Sequence, residues 1–492
     1  MSRFCPVFPK PRKNKPSLWQ MFFGKRRSWL DGLYERSYRM KMGEVRLPGS
    51  AIYMINEPPL VRKVLIEDAN KFPKHTLLGK MLQPLLGESI FTTNGEQWQR
   101  QRSMMDASFA QTRLKLVFPL MKAAAAAMQE RLDKLPDGAE YDIDIEMTHV
   151  TADIIFRTIL SQTLEGETGH KIFEAFTRFQ AMTPRILNPV LFRMPRLLYP
   201  WLAIRRSNRA AREIRSHLEV FIRPRYDAHR AGTPGNDQDI LASLLDAVDP
   251  VAGTPFTFDE LVDQVAMLFL AGHETSASAL SWSLYLISNR TDIQERMHAE
   301  TMEVMGDKEP DYSDIKRMEL TWNVFRETLR LYPPVGFFAR EAAEVQDMRK
   351  KTMQAGSSVV IAPWLIHRHH DLWERPDEFD PDRYTSDSAR ESLKCAYLPF
   401  SLGPRVCMGA TFALQEAGLI LATLVKRYRF EAPAGYQPDI VGRLTIRSEN
   451  GIRVIIHKRT QEAKSFPHPL SPEALNISDA SVQSRCPMHA HT

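Results

Sequence analysis

Cys407 lies in a run whose residue types suit a metal-bound thiolate: Phe400-Ser-Leu-Gly-Pro-Arg-Val-Cys-Met-Gly409. A helix predicted over Met408–Arg427 begins beside it. The N–H groups and dipole at a helix start favour a thiolate over a thiol. Gly403 permits a tight turn ahead of the sulfur, and Gly409 removes a side chain where something flat must come close. Arg405 sets a fixed cation two residues from the sulfur, and Phe400 offers an apolar wall. Together they describe a soft metal on sulfur beside a planar anionic ligand. A lone cysteine is more commonly a buried free thiol, and that reading stays open on chemistry alone.

Three other groupings could carry chemistry. Ala271-Gly-His-Glu-Thr-Ser276 places an acid, Glu274, beside an alcohol, Thr275, inside a predicted helix. Gly272 and Thr275 are poor choices for a helix interior and can loosen its hydrogen-bond ladder. A Ser/Thr-rich packing seam is the alternative. Glu327 and Arg330 form an i,i+3 pair, which by itself is ordinary helix decoration. His367-Arg-His-His370 clusters histidines, but neighbours on a strand point to opposite faces and no second ligand cluster has matching spacing. Metal binding is not expected there.

The elements that must position these residues follow from periodicity. Helices are predicted over Leu60–Ala69, Leu114–Leu135, Asp142–Leu160 and Phe258–Ser288, the last opened by a capping box, Thr257-Phe-Asp-Glu260. About thirty residues without proline imply an element crossing the whole molecule. Ser17–Met40 reads as a short amphipathic helix, and Glu44–Glu57 as a hairpin around Pro48-Gly49-Ser50. Ser357–Ile361 and Ile452–His457 read as short strands. Helix exceeds strand and no strand–helix alternation appears, so a doubly wound or barrel fold is disfavoured.

The chain has 492 residues, 43% hydrophobic and 25% charged, which excludes a mainly disordered chain, a collagen and a small disulfide scaffold. Four cysteines (5, 395, 407, 486) are too few for a disulfide framework, and a reducing compartment is expected. The longest apolar runs, Val265–Gly272 and Gly418–Val425, are far too short to span a bilayer. The net charge of +6 is unevenly spread. Residues 1–30 hold eight Lys or Arg and no acid, and residues 171–230 hold thirteen against four. The basic N-terminus resembles an organelle transit peptide, but Pro6, Pro9, Pro11 and Pro16 interrupt any helix there.

Phe400, Gly403, Arg405, Cys407 and Gly409 resemble, at all five fixed positions, the haem-binding signature of the cytochrome P-450 family. With equal residue usage such a match arises by chance about once in three million starts. The resemblance covers roughly residues 41–460, because further motifs follow in order. It implies a mainly α fold with a small β part: one large domain, with haem b between the long central helix and the cysteine loop. A basic arm, residues 1–40, would precede it and a disordered tail, 461–492, would follow. Cys407 would ligate the iron. Arg405, Trp98, Arg102 and Arg340 would meet the haem propionates, with Arg100 a rival for the role given to Arg102. Phe400, Gly409 and Gly272 would border the cofactor. Glu327 and Arg330 would lock to Arg383, in a loop where the family more often has Glu at the place of Asp382.

The resemblance further implies a monooxygenase. Thr275 would hydrogen-bond bound oxygen and Glu274 would relay protons, since splitting O–O toward water needs two protons on the distal oxygen. His75–Ile90, Phe269, Leu270, Ala271, Val335, Gly336, Phe337, Leu444 and Thr445 would line an apolar pocket for a lipophilic substrate: a fatty acid, terpenoid, steroid or carotenoid-like molecule. Only 85 residues follow Cys407, without a flavin or nicotinamide motif, so electrons are expected from a separate ferredoxin or flavodoxin with its reductase. Arg113, Lys115 and Lys122 would form the docking face. Residues 171–230 correspond to lid helices. Their Leu191, Phe192, Leu197, Leu198, Trp201 and Leu202, with Arg205, Arg206, Arg209 and Arg212, would rest on an anionic membrane, steer a carboxylate substrate, or form a solvated face. A soluble, bacterial-type monomer is expected, cytoplasmic or peripheral at a membrane, with organelle import left open and no nucleic-acid partner. A peroxygenase or isomerase on the same haem, or a non-catalytic haem sensor, are the rival readings.

Overall fold

Thr257 accepts a hydrogen bond from the Glu260 amide, while the Glu260 carboxylate accepts one from the Thr257 amide. This reciprocal cap starts the helix Phe258–Ser288, whose bounds match those predicted. A computed structural model describes residues 4–15, 28–47, 50–191 and 199–459. At 1.5 Å per residue the central helix is about 46 Å long. It is buried on every side from Leu261 to Leu270 and again from Ser276 to Ser288. Between them Ala271 is exposed and Gly272 and Thr275 are half-open. The helix stays regular through this gap, with the Thr275 hydroxyl donating to the Ala271 carbonyl at 2.8 Å.

The other helices wrap this axis, and the chain is 57% helix and 12% strand in one domain. Ile143–Leu160, capped by Asp142, lies along the central helix. Gly272 is the close-approach point, because a Cβ there would sit 2.4 Å from Ile155 Cδ1. Its glycine therefore serves helix packing at this point. Helices Glu167–Leu191 and Trp201–Arg230 pair with each other, through Arg178–Glu213 at 2.6 Å among other contacts, and cross the central helix. Asp263 joins three segments there. Its carboxylate accepts from Arg215 Nη1 at 2.6 Å and from the Glu88 amide at 2.7 Å, and Arg215 also donates to the Leu85 carbonyl.

The β part is small. Met42–Leu47 and Ser50–Ile55 form the predicted hairpin, in the register Val45↔Ile52. Ser50–Ile55 pairs in parallel with Ser358–Ile361, and that strand pairs antiparallel with Phe338–Glu341, setting Arg340 opposite Val359. The N-terminal region departs from expectation. Residues 4–15 were expected in a basic arm preceding the domain, yet they lie against the core: Phe4 O accepts from the Phe379 amide at 3.0 Å, and Val7 O accepts from Tyr332 Oη at 2.5 Å. Residues 28–40 form two 3-10 turns, Trp29–Gly32 and Glu35–Tyr38, not the end of an amphipathic helix. Leu30 and Leu33 are buried in them. Residues 16–27 and the expected tail, 461–492, lie outside the described residues. Among the described residues no helix is long and apolar enough to cross a membrane.

Glu327, Arg330 and Arg383 tie the loop-rich segment 367–384 to the helix Glu319–Leu331. Glu327 is fully buried and accepts from Arg330 Nε at 2.8 Å, Arg330 Nη2 at 2.9 Å, Arg383 Nε at 3.0 Å and the Asp380 amide at 3.1 Å. Arg330 spends its remaining protons on the carbonyls of His367, Pro376 and Glu378. Burial opposes the Glu327 charge, but the two guanidiniums prevail and hold its carboxyl below the ordinary range. Asp382 faces outward to Arg296 at 2.8 Å, so the departure from the family's Glu leaves the triad intact. Removing one partner of such a cluster strands the other buried charges. Glu327→Gln should therefore cost about 3–5 kcal/mol in urea unfolding. A loss below about 1 kcal/mol would show that the triad carries little of the fold.

Candidate active site: a thiol among unmatched cations

The cysteine loop folds as a tight return. The Val406 amide donates to the Gly403 carbonyl and the Cys407 amide to the Phe400 carbonyl, both at 2.9 Å. Gly403 has φ +73°, and a Cβ there would lie 2.0 Å from the Leu65 carbonyl oxygen, so the loop seats directly on the π-helical turn Lys63–Glu67. The following helix starts at Ala410, two residues later than predicted, with Gly409 as its cap. At Gly409 a Cβ would stand 4.0 Å from Cys407 Sγ, with nothing nearer, which keeps the space beside the sulfur clear. Cys407 is exposed in this hollow. The surrounding protein nevertheless desolvates the thiol and raises its pKa, against the pull of the Gly409 amide, Arg102 and Lys74. The expectation that the helix start alone favours a thiolate is thus overridden by burial. A bound metal would reverse that balance, since a coordinating thiol is deprotonated outright.

Cations converge on this loop. Arg405 donates to Asn94 Oδ1 at 2.7 Å and to the Thr93 carbonyl at 3.1 Å, and its guanidinium lies 4.2 Å from the centre of the Trp98 ring. Its Nη1 is buried with no hydrogen-bond partner. Arg340 is 7% exposed, and burial pushes its pKa down to about 10. Arg405 falls to about 10 as well, through burial and the charges of Arg340 and Arg102. Arg102 donates to the Val406 carbonyl at 2.8 Å and pairs with Asp106. Arg100, its sequence rival, turns away to Glu260 at 2.5 Å. Lys74 was missed by sequence reasoning. It caps the Phe91 carbonyl and ring, and its pKa is pushed well down by burial and by Arg405, Arg340 and Arg102. No carboxylate shifts Lys74, Arg340 or Arg405, and only Cys407 opposes the lowering at Lys74. An orphaned guanidinium nitrogen, three cations without a carboxylate, and a cleared face beside a thiol fit a planar dicarboxylate such as haem.

On the central helix, Glu274 is buried and clamped. Its oxygens accept from Thr445 Oγ1 at 2.6 Å, Gln180 Nε2 at 2.7 Å and Arg447 Nη2 at 3.0 Å. Arg447 also holds Asp144 at 2.6 Å. Burial would raise the Glu274 pKa, but Arg447 overrides it and lowers it to about 2.

Comparison with known proteins decides the family. The cytochrome P450 family model matches residues 9–454. The chain belongs to the cytochrome P450 family. It is 31% identical over 80% of its length to cyclooctatin synthase of Streptomyces melanosporofaciens, and covers 83% of that protein. It is 30% identical to cyclooctat-9-en-7-ol 5-monooxygenase of the same organism, with 80% of this chain and 83% of that one covered. It is 28% identical to 7-deoxyloganic acid hydroxylase of Catharanthus roseus, over 82% and 79%. A crystal structure of the cytochrome P450DA heme domain has the same fold, with a TM-score of 0.75 at 24% identity over 85% of this chain and 90% of that one. The protein is thus a cytochrome P450 monooxygenase that uses haem, dioxygen, an organic substrate and a redox partner.

The residues expected to line the P450 pocket divide. Ala271 is exposed on the open face of the central helix, and Val335, Phe337 and Leu444 are partly open. Phe269 is 1% exposed and stacks on Phe176 at 4.4 Å, so it builds the core under the lid rather than a pocket wall. Leu270 is likewise buried. Phe400 is half-buried behind the loop that it anchors. His75 bonds Ser358 Oγ at 2.8 Å and ties the start of the helix Thr76–Leu86 to the sheet. His367 accepts from the Leu398 amide, and burial followed by Arg330 lowers its pKa to about 3. His367 is thus held within the fold, and among the described residues no group of three or more His, Cys, Asp or Glu side chains is placed to hold a metal ion.

The Glu274 clamp has a titration signature. Its folded pKa lies below the unfolded carboxylate value of about 4.3, so the pair contributes fully above that value and is lost as pH falls through about 2. Arg447→Met should therefore destabilise the protein by about 3–5 kcal/mol near neutrality, and the difference should shrink as pH falls from about 5 to 2. Urea midpoints measured across that range test this. A deficit independent of pH would mean that Arg447 acts through packing and not through charge.

Proposed function

We propose that Cys407 supplies the thiolate that holds the haem iron, and that the enzyme hydroxylates a lipophilic molecule beside the open stretch Ala271–Thr275. The gap in burial of an otherwise enclosed helix is the observation that carries this reading. It bares an alcohol, Thr275, in an apolar surround where substrate and oxygen can both reach it. Thiolate-ligated haem favours O–O cleavage and supplies the oxidising chemistry. The chain supplies the rest.

Thr275 orients bound oxygen through its hydroxyl, which is at present turned to the Ala271 carbonyl. Glu274 holds a negative charge next to it and accepts or passes protons once Arg447 releases it. Arg102, Arg340, Arg405 and Lys74 neutralise the propionates and fix the plane of the ring. Ala271, Val335, Phe337 and Leu444 present apolar surface, which suits a fatty acid, terpenoid, steroid or carotenoid-like substrate. The lid helices keep water out, and the Asp263–Arg215 pair helps to close them.

Electrons come from a separate ferredoxin or flavodoxin. Arg113 and Lys115 remain candidates for its docking face, whereas Lys122 pairs with Glu309 at 2.9 Å. Trp201 and Leu202 are 64% and 67% exposed at the start of a helix that carries Arg205, Arg206, Arg209 and Arg212 outward. That combination supports contact with an anionic membrane surface over steering of a carboxylate into the pocket. Phe192, Leu197 and Leu198 lie outside the described residues.

Thr275→Ala tests the oxygen-site assignment. With a spin-shifting lipophilic probe bound, reductant consumption should persist while product per reductant falls by about tenfold and peroxide rises. Unchanged coupling would remove Thr275 from the mechanism. Turnover driven by peroxide alone, with none from dioxygen and reductant, would favour a peroxygenase.

A further inference from the structure

Trp29 reaches the wall of the proposed pocket from a part of the chain far away in sequence. It opens the turn Trp29–Gly32, and Ser28 ahead of it fastens that turn in two directions. The Ser28 hydroxyl accepts from the Leu30 amide at 3.1 Å, which caps the turn, and from the Gly442 amide at 2.7 Å. Ser28 is itself buried. The Trp29 indole thereby enters between two segments that carry residues of the proposed pocket. One is residues 335–337. The other is the antiparallel pair Ile440–Gly442 and Ile446–Ser448, with Leu444 in the turn between its strands. The Ile446 amide donates to the Pro334 carbonyl at 3.0 Å, so the two segments are also joined to each other.

Both segments make room for the indole with a glycine. A Cβ on Gly336 would lie 2.4 Å from Trp29 Cζ2, and a Cβ on Gly442 would lie 2.4 Å from Trp29 Nε1. Neither glycine has a positive φ, so backbone conformation does not require either of them. Glycine weakens a strand and marks the close approach of another group. Here one ring is the group that approaches both. Trp29 also meets Phe337 edge to face, with ring centres 5.3 Å apart at 77°, a geometry that aromatic pairs favour. A smaller residue at position 29 with alanine at both glycines would close the same seam. The tryptophan instead holds the segments apart by the width of an indole and backs the Phe337 ring.

We propose that Trp29 is a wedge that fixes the spacing of the segments carrying Phe337 and Leu444, and so limits the size of the substrate that the pocket takes. The proposal rests on the reading of Phe337 and Leu444 as pocket wall. Trp29 is a positioning residue: it acts through Phe337, which it touches, and through Gly442, two residues before Leu444. With the indole in place Phe337 cannot withdraw. Without it, Phe337 has apolar space to move into, of the order of the engineered cavity of about 150 Å3 that takes up benzene.

The test uses the full-length haem-loaded protein and three probes whose imidazole nitrogen binds haem iron: imidazole, 4-phenylimidazole and the bulky 1-tritylimidazole. Dissociation constants are read from the shift of the haem absorption band for the wild type, Trp29→Ala and Trp29→Phe. Imidazole reports access to the iron alone, so its constant should not change in either variant. Trp29→Ala should tighten 1-tritylimidazole about tenfold relative to imidazole, the order that a single methylene commands in an apolar pocket, and Trp29→Phe about threefold. If Trp29→Ala fails to fold, Trp29→Phe decides alone. An unchanged ratio of the two constants in a folded variant would overturn the proposal even if thermal stability fell, because Trp29 would then serve packing only. Weaker binding of 1-tritylimidazole relative to imidazole would overturn it as well. A wild type that binds 4-phenylimidazole no more tightly than imidazole would instead overturn the reading of an apolar pocket on which the proposal rests.

Discussion

Positive charge without a protein counter-charge is the constraint on which this site depends. Lys74, Arg340 and Arg405 come from a loop, a sheet strand and the cysteine loop, and burial, joined at Lys74 and Arg405 by the charges of the neighbouring guanidiniums, depresses their pKa values. Folding alone gives no reason to gather them. Their convergence becomes favourable when two carboxylates arrive with a planar ligand, and the thiol at Cys407, whose pKa burial raises, becomes a good ligand only when a metal arrives with it. Fold and cofactor therefore stabilise each other, in the sense that ligand binding stabilises the state that binds.

The scaffold meets this demand with buried charge of the opposite kind, fully paired. Glu327, Arg330 and Arg383 use nearly every donor and acceptor they own on each other and on backbone carbonyls. They fix the segment that leads into the cysteine loop. Glu274, Arg447 and Asp144 do the same on the lid side of the central helix. Arg405 Nη1, beside the thiol, is by contrast buried with no partner.

Much of this was legible in the sequence, and the limits have physical causes. The cysteine loop was readable because its determinants lie within ten consecutive residues. The central helix was readable because its cap and its length are local properties. The packing roles of Phe269 and Gly272 were not legible from proximity in sequence. Each residue turns about 100° around a helix, so residues beside Ala271 face other neighbours: Phe269 meets Phe176, and Gly272 meets Ile155. Lys74 and the Glu274 clamp were invisible because their partners are distant. Lys74 bridges to Arg340, and Thr445 and Arg447 stand 171 and 173 residues from Glu274. The docked residues 4–15 were misread because basic, proline-rich sequence carries no periodicity, although Phe4, Val7 and Phe8 pack on the core.

The central claim is that Cys407 is the sulfur ligand of a haem held by this ring of cations. The absorption spectrum of the purified protein, reduced and exposed to carbon monoxide, tests it most directly. The account predicts the strongly red-shifted band of a thiolate-ligated haem, lost in Cys407→Ser. A band at the position of histidine-ligated haem in the wild-type protein, or a red-shifted band that survives the loss of Cys407, would contradict it.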